Sequence, residues 1–368
     1  MIKSVKDVSK EALKKLAAYQ RGEFTPVVTG RAWLDEVFGG LLPGDVITIA
    51  GQSGGGKSFE EQRIKNFIMD VDNNASSANS VWLSYSLEMR FLSTMLRDLN
   101  QKTKKSKKKI LTESFSEEEV EMLSKYKRTL QDGRFFINEE VITVNQFKEM
   151  TIAFCEEHKD KENIFISLDH IALFKGGDDK KAIVDAIVEV INEVRKVYTN
   201  TYWFILSQLN RNILGRIKEK DMMAMPTRGD IFQSDTMFFI SDYVYVSHNP
   251  YRLGMKEFLK VNAEVYDYIS EHFSEVKNGR ASFETLGKIF YIVLKSRESD
   301  VIFNDIFIEN IEIKNKEKYK PVLTFDSSAE DGAMPSFDAT ISAPQTTTFN
   351  TSALQSAKGG DFEDTPPF

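Results

Sequence analysis

Eight residues, Gly51-Gln52-Ser53-Gly54-Gly55-Gly56-Lys57-Ser58, fit the pattern Gly-x-x-x-x-Gly-Lys-[Ser/Thr]. Each residue type in it has a chemical reason. Glycines let successive backbone N–H groups turn inward around a chain of phosphates, Lys57 brings a mobile point charge, and the Ser58 hydroxyl is a ligand for Mg²⁺. The flanks suit the pattern. Asp45 to Ala50 reads as a short buried strand and Phe59 to Asp70 has helical spacing, so the loop opens onto the positive end of a helix. A glycine turn that merely reversed the chain would not need Lys-Ser after its last glycine.

Other apolar runs also end in polar residues. Val81 to Tyr85 is followed by Ser86-Leu87-Glu88-Met89, Ile164 to Leu168 by Asp169, and Trp203 to Leu206 by Ser207-Gln208-Leu209-Asn210-Arg211. In an open parallel sheet, groups at the C-terminal ends of strands line the crevice that binds ligands. Glu88 and Asp169 are therefore candidates for a water-activating base and an Mg²⁺ partner. Either acid could instead cap a following helix. Gln208 is suited to sensing a terminal phosphate or its attacking water. Phe290 to Lys295 ends in Lys295-Ser296-Arg297, two cations two residues apart, which strand geometry points to one side.

Positioning these groups requires an α/β scaffold. From residue 27 to about 325 short apolar runs alternate with helical stretches, the pattern of a mainly parallel sheet flanked by helices. Strands are expected at Val46 to Ala50, Val81 to Tyr85, Phe135 to Asn138, Ile164 to Leu168, Trp203 to Leu206, Tyr243 to Val246 and Phe290 to Lys295. Residues 1–26 read as a helix and linker, with an amphipathic stripe through Leu13, Leu16 and Ala17 that could pack on the chain's own core or on a neighbouring subunit. Residues 252–280 read as an insertion, helical around Glu257 to His272. Residues 326–368 are rich in Ser, Thr, Ala and Pro, and disorder is expected there.

The 368 residues are 41% hydrophobic, enough for one large core or two modest ones, and no stretch approaches the roughly 18 consecutive apolar residues of a membrane span. The start, Met1-Ile2-Lys3-Ser4-Val5-Lys6, lacks the apolar stretch of a secretory signal, so a cytoplasmic location and no membrane partner are expected. Cys155, the only cysteine, rules out an intrachain disulfide or cysteine zinc site and reads as a half-buried thiol. The four histidines show no metal-ligand spacing. Net charge is −7, yet residues 326–368 hold seven acids and one lysine, leaving 48 acidic and 47 basic residues elsewhere. Six lysines between Lys102 and Lys109 read as a solvated loop and helix start.

The motifs together resemble the RecA-like motor domain of DnaB-family replicative helicases. Thr29-Gly30-Arg31-Ala32-Trp33-Leu34-Asp35 and Gly39-Gly40-Leu41-Leu42-Pro43-Gly44-Asp45 resemble the family's lead-in to the first core strand. Ser86-Leu87-Glu88-Met89 and Ser207-Gln208-Leu209-Asn210-Arg211 match two of its motifs, and Lys295-x-Arg297 its Lys-x-Arg pair. Asp230-Ile231-Phe232-Gln233-Ser234 and Ser241-Asp242-Tyr243-Val244 are similar to two more. The resemblance covers residues 27 to 325. It implies a RecA-like P-loop NTPase core and an ATP-dependent helicase acting in DNA replication as a homo-oligomeric ring, expected to be hexameric, on single-stranded DNA. It further implies that ATP lies on Gly51 to Ser58, that Ser58 and Asp169 hold Mg²⁺, that Glu88 polarises water and that Gln208 couples hydrolysis to movement. Lys295 and Arg297 would reach the neighbouring subunit's site, Arg297 as an arginine finger. Against the family pattern, Asp169-His170-Ile171-Ala172-Leu173 replaces Asp-Tyr-Leu-Gln-Leu, and only about 26 residues precede the core. Compact size suggests a phage-type replication protein.

In such rings the strand is contacted by loops after the second and third core strands. Here these hold Lys175, Lys180 and Lys181, then Arg211, Arg216, Lys218, Lys220 and Arg228, cations suited to tracking phosphates without reading bases. The last residues, Asp361-Phe362-Glu363-Asp364-Thr365-Pro366-Pro367-Phe368, resemble the acidic tip of bacterial single-stranded DNA-binding proteins. That resemblance implies binding to replication or repair proteins through Asp361, Phe362, Glu363, Asp364, Pro367 and Phe368, or competition with DNA for the protein's own basic channel. Two other readings fit the same residues: a RecA-like DNA-dependent ATPase of recombination or helicase loading, and a non-motor scaffold that recruits partners.

Overall fold

The computed structural model describes residues 4–176, 179–210, 212–218, 225–231, 234–258, 283–297 and 306–310. The chain divides between Thr324 and Phe325, and every described residue lies in the first part. The strands are β1 (Val46–Gly51), β2 (Ser80–Ser86), β3 (Phe135–Asn138), β4 (Asn163–Asp169), β5 (Thr201–Gln208), β6 (Tyr243–His248), β7 (Glu257–Phe258), β8 (Phe283–Glu284), β9 (Lys288–Ser296) and β10 (Ile306–Asn310). Eight form one sheet in the order β10-β9-β6-β1-β5-β4-β2-β3, and β7 pairs with β8. From β6 to β3 the neighbours run parallel, whereas β9 is antiparallel to both β6 and β10.

Helices cover both faces. They are α1 (Val5–Gln20), α2 (Ala32–Phe38), α3 (Lys57–Ile68), α4 (Phe91–Thr103), α5 (Lys107–Thr112), α6 (Glu117–Gln131), α7 (Val144–Glu157), α8 (Lys180–Val197), α9 (Asn212–Lys218) and α10 (Ser234–Ile240). Ile64 and Ile68 of α3 pack with Ile47, Ile49, Phe165 and Phe204 on one face. On the other, Ile183, Ile187 and Ile191 of α8 meet Ile164, Ile166 and Ile205. Successive side chains of β4 thus enter different cores, so a strand buried on both sides reads as an unbroken apolar run rather than an alternation. Fully burying an aliphatic side chain contributes about 1.5–3 kcal/mol, which is why the central strands hold the strand ends at the crevice firmly in place.

All seven strands expected from the sequence are present, each extended by a residue or more except β3. Five features go beyond or against expectation. Glu257–Phe258, expected as helix, is a strand paired with Phe283–Glu284, so the base of the insertion is a hairpin; residues 259–282 lie outside the described residues. Cys155 is buried, and burial pushes its thiol up to about 12. The lysine run spans the end of α4, the connection holding Lys104 and Lys105, and α5, with Lys105 paired to Glu119 and Lys102 over the Tyr126 ring. The apolar stripe of α1 remains exposed at Leu13 (65%) and Leu16 (52%). The fifth is the direction of β9. An apolar run carries no sign of its direction, and here it places Lys295 level with Val244, near the N-terminal end of the parallel strands.

Candidate nucleotide site

The cleft is assembled by register. Gly51 at the end of β1 lies opposite Gln208 at the end of β5, and Ser86 of β2 lies opposite Asp169 of β4. The turn after β2 hangs on the same strand: Leu87 and Glu88 donate backbone N–H bonds to the Asp169 carbonyl at 2.8 and 3.3 Å, while the Ser86 hydroxyl donates to Met89 O at 2.6 Å. Glu88 is thereby brought beside Asp169 yet stays exposed. The resulting cleft, about 640 Å³, is lined by Gly54, Lys57, Ser58, Glu88, Gln208 and Arg252 among others.

The loop Gly51–Ser58 has no room for side chains at two of its glycines. A Cβ on Gly51 would stand 2.5 Å from Ser247 O, and one on Gly55 would stand 2.9 Å from Gln52 O. Gly54 (φ +73°) and Gly56 (φ +104°) have left-handed backbones that a side chain would strain. Gln52 and Ser53 complete the turn, and Gly56 caps α3. Lys57 is 6% exposed, and its Nζ donates to Gly51 O at 2.9 Å and Gln52 O at 3.1 Å. Burial lowers its pKa, against the opposing pull of Asp169 and Glu88. The Ser58 hydroxyl donates to Asp169 Oδ2 at 2.8 Å. Asp169 Oδ1 is buried with no hydrogen-bond partner among the described residues, and burial raises the carboxyl's pKa despite the Ser58 bond. His170 is buried beside it, with its pKa lowered by that burial.

Lys295 and Arg297 stand apart from this cleft. Lys295 Nζ donates to Phe238 O at 2.5 Å and Phe239 O at 3.3 Å. Arg297 donates to Phe239 O and to Asp242 Oδ1, each at 2.7 Å. Both cations thus converge on the C-terminal carbonyls of α10, where a helix end carries partial negative charge. Burial, with Arg297 nearby, pushes Lys295 down to about 8. Phe239 beside them is 64% exposed.

The basic residues expected at the DNA loops fare unequally. Lys175, Lys180 and Lys181 are exposed, the last two in the first turn of α8. Arg216 is held by Asp230 at 2.5 Å, and Arg228 by Asp235 at 2.8 Å with its guanidinium 4.6 Å from the Phe238 ring centroid. Lys218 ends α9. Arg211, Lys220 and the tip residues Asp361, Phe362, Glu363, Asp364, Pro367 and Phe368 lie outside the described residues.

Two residues at the site escaped sequence reasoning. Arg252, assigned to the insertion, donates from Nη1 to Gly54 O at 3.0 Å, and the buried Ser247 hydroxyl donates to Gly55 O at 2.8 Å. Their only signal was a position after the apolar run Tyr243 to Val246, and adjacency of β6 to β1 is not written in the sequence. Among the described residues no helix is long and apolar enough to cross a membrane.

Solved structures share this architecture. The ATPase domain of G40P aligns with a TM-score of 0.60 at 16% identity, covering 85% of this chain and 100% of that one. A DnaB-like replicative helicase, whose structure was described with its interactions with primase, aligns with a TM-score of 0.58 at 17% identity, covering 86% of this chain. This chain spans 66% of that helicase. At such identities the likeness speaks for the fold alone. No curated protein matches. The model of the DnaB-like helicase C-terminal domain matches residues 26–266. That span exceeds half of the 368 residues, and the chain belongs to the DnaB-like helicase C-terminal domain family.

Proposed function

We propose that the protein is an ATP-dependent DNA helicase of the DnaB type that works as a ring, of six subunits by the family resemblance, and translocates on single-stranded DNA during replication. One observation carries this reading. The loop Gly51–Ser58, Glu88, Asp169 and Gln208 share one cleft, while Lys295 and Arg297 lie toward the opposite end of the sheet, so each chain offers a nucleotide site at one end and a pair of cations at the other. Two such ends meet when copies join head to tail, and a head-to-tail contact generates a ring wherever its rotation closes. The uncovered apolar stripe of α1 is an available contact for a neighbouring copy.

Within the cleft, the donor set fits Mg²⁺ with a nucleotide. The partnerless Asp169 Oδ1 and the Ser58 hydroxyl offer two oxygens, and Mg²⁺ is commonly held by one or two protein oxygens, waters and substrate phosphates rather than by a protein cage. Among the described residues no group of three or more acidic, His or Cys side chains is gathered as such a cage. When bound, Mg²⁺ supplies neutralisation of phosphate charge. The loop amides and Lys57 bind and orient the phosphates, the exposed Glu88 carboxylate is available to accept the proton of an attacking water, and Gln208 senses the outer phosphate. Residues 27–325 would form the motor. Lys175, Lys180 and Lys181 would meet the DNA backbone, and residues 326–368 would tether replication or repair proteins through the tip at 361–368.

Unwinding of a forked duplex tests the reading. Wild type is expected to separate the strands with ATP and Mg²⁺, and Lys57→Ala and Arg297→Ala to fail, Arg297→Ala while still binding nucleotide. DNA-stimulated hydrolysis without strand separation would favour a loader or recombinase instead. Removing residues 361–368 is expected to leave ATP hydrolysis unchanged and abolish pull-down of replication proteins from a lysate; unchanged capture would reject the tether.

A further inference from the structure

Gln208 lines the cleft beside Lys57, Ser58 and Glu88. Its amide has two unlike ends, Nε2 donating and Oε1 accepting, and a half-turn exchanges them. Phosphate oxygens accept, so a glutamine that reads a phosphate must turn its nitrogen toward the ligand. A neighbouring ring can fix that choice. His170 is 7% exposed, its Nδ1 accepts from the Ala172 amide at 3.3 Å, and its Nε2 lies 3.4 Å from Gln208 Nε2. A ring nitrogen that accepts carries no proton, so the imidazole proton is on Nε2. An N–H therefore faces the Gln208 NH₂, a meeting of two donors that a half-turn of the amide relieves by bringing Oε1 to the ring.

We propose that His170 is a positioning residue that donates from Nε2 to Gln208 Oε1 and so holds the amide NH₂ free for the outermost phosphate of a nucleoside triphosphate. The inference rests on the cleft being a nucleotide site. Its consequence is a preference for triphosphate over diphosphate that depends on the ring. The same strand end also grips the segment that follows it. Leu209 N donates to Gly51 O at 3.2 Å, Leu209 bridges Ile231, and the Asn210 side chain donates to Gly229 O at 2.6 Å. A change in Gln208 is thereby mechanically close to both the phosphate loop and the segment ending at Ile231.

Equilibrium binding of ADP and of adenylyl imidodiphosphate, each with Mg²⁺, to the full chain followed by fluorescence tests this. His170→Phe keeps a ring without an N–H donor, and His170→Gln restores a donor. In His170→Phe the preference for the triphosphate analogue should fall about ten-fold, the scale of one hydrogen bond to a charged group, while ADP affinity stays within about two-fold. His170→Gln should recover most of it. His170→Met replaces the Phe variant if the larger ring prevents folding. An unchanged preference, or equal loss for both nucleotides without rescue by Gln, would overturn the role of His170 and leave the nucleotide site standing. A wild type that binds neither nucleotide would overturn both.

Discussion

Lys295 is a lysine whose charge is set by where the fold puts it. Burial, with Arg297 beside it, brings it to about 8, so the ammonium is lost as pH rises through that value. If this cation serves a neighbour's site, DNA-stimulated hydrolysis should decline across the same range. Unfolding would not explain the decline, because a lysine whose folded pKa lies below its unfolded one binds fewer protons when folded, and stability rises with pH between the two. Lys295→Arg, whose guanidinium stays charged, should move the alkaline limb upward. Superimposable pH profiles of wild type and variant would reject the role. At this scale the sequence is legible where a residue belongs to an unbroken motif: Lys57, Ser58, Glu88 and Gln208, from three separate motifs, line one cleft. It is silent on Arg252, Ser247 and the His170–Gln208 contact, because those meet only through strand order and register.

Between elements, one buried network ties the phosphate-loop helix to the strands that end the sheet. Arg31 Nε donates to Glu60 Oε1 of α3 at 2.7 Å and its Nη2 to Glu309 of β10 at 2.6 Å, while the Tyr291 hydroxyl of β9 lies 3.0 Å from both acids. The Asp35 carboxylate accepts from Thr29 N and Gly30 N at 2.7 and 3.0 Å and so sets the turn that presents Arg31. Arg31→Ala leaves Glu60 buried without its first partner and should cost about 3–5 kcal/mol in urea unfolding. Glu60's folded pKa is raised by burial. Folded chains therefore bind more protons than unfolded ones across that window, stability falls as pH rises through it, and the loss should shrink as pH is lowered. A loss under about 1 kcal/mol at neutral pH would mean that water or rearranged neighbours satisfy Glu60. Sequence likeness located Thr29-Gly30-Arg31 but not this use of it, since Arg31 and Glu309 are 278 residues apart. The central strands were legible because burial on both faces makes them uniformly apolar; β7, β8 and β10 are short or half-exposed, and their composition lacks that mark.

At the scale of the whole molecule, the asymmetry of the chain decides how sites would be shared between copies. Arg297 is bound to Asp242 and Phe239 near the start of β6, whereas the phosphate loop leaves the far end of β1. An arginine finger at that place acts on a second copy or on none. The two possibilities separate in a mixing experiment. Lys57→Ala carries an intact finger with a disabled loop, and Arg297→Ala an intact loop with no finger, so each alone should hydrolyse almost nothing under DNA stimulation. Mixed in equal amounts and allowed to exchange subunits, about one interface in four joins an intact loop to an intact finger if placement in a head-to-tail ring is random. Recovery toward a quarter of wild-type hydrolysis is the expected outcome, lower if firing must pass through consecutive sites. Such recovery cannot arise within one chain, because neither variant holds both groups. A mixture that stays at the sum of its two inactive parts, after subunit exchange is verified by mass photometry of size-tagged copies, would show that Arg297 does not complete a neighbour's site.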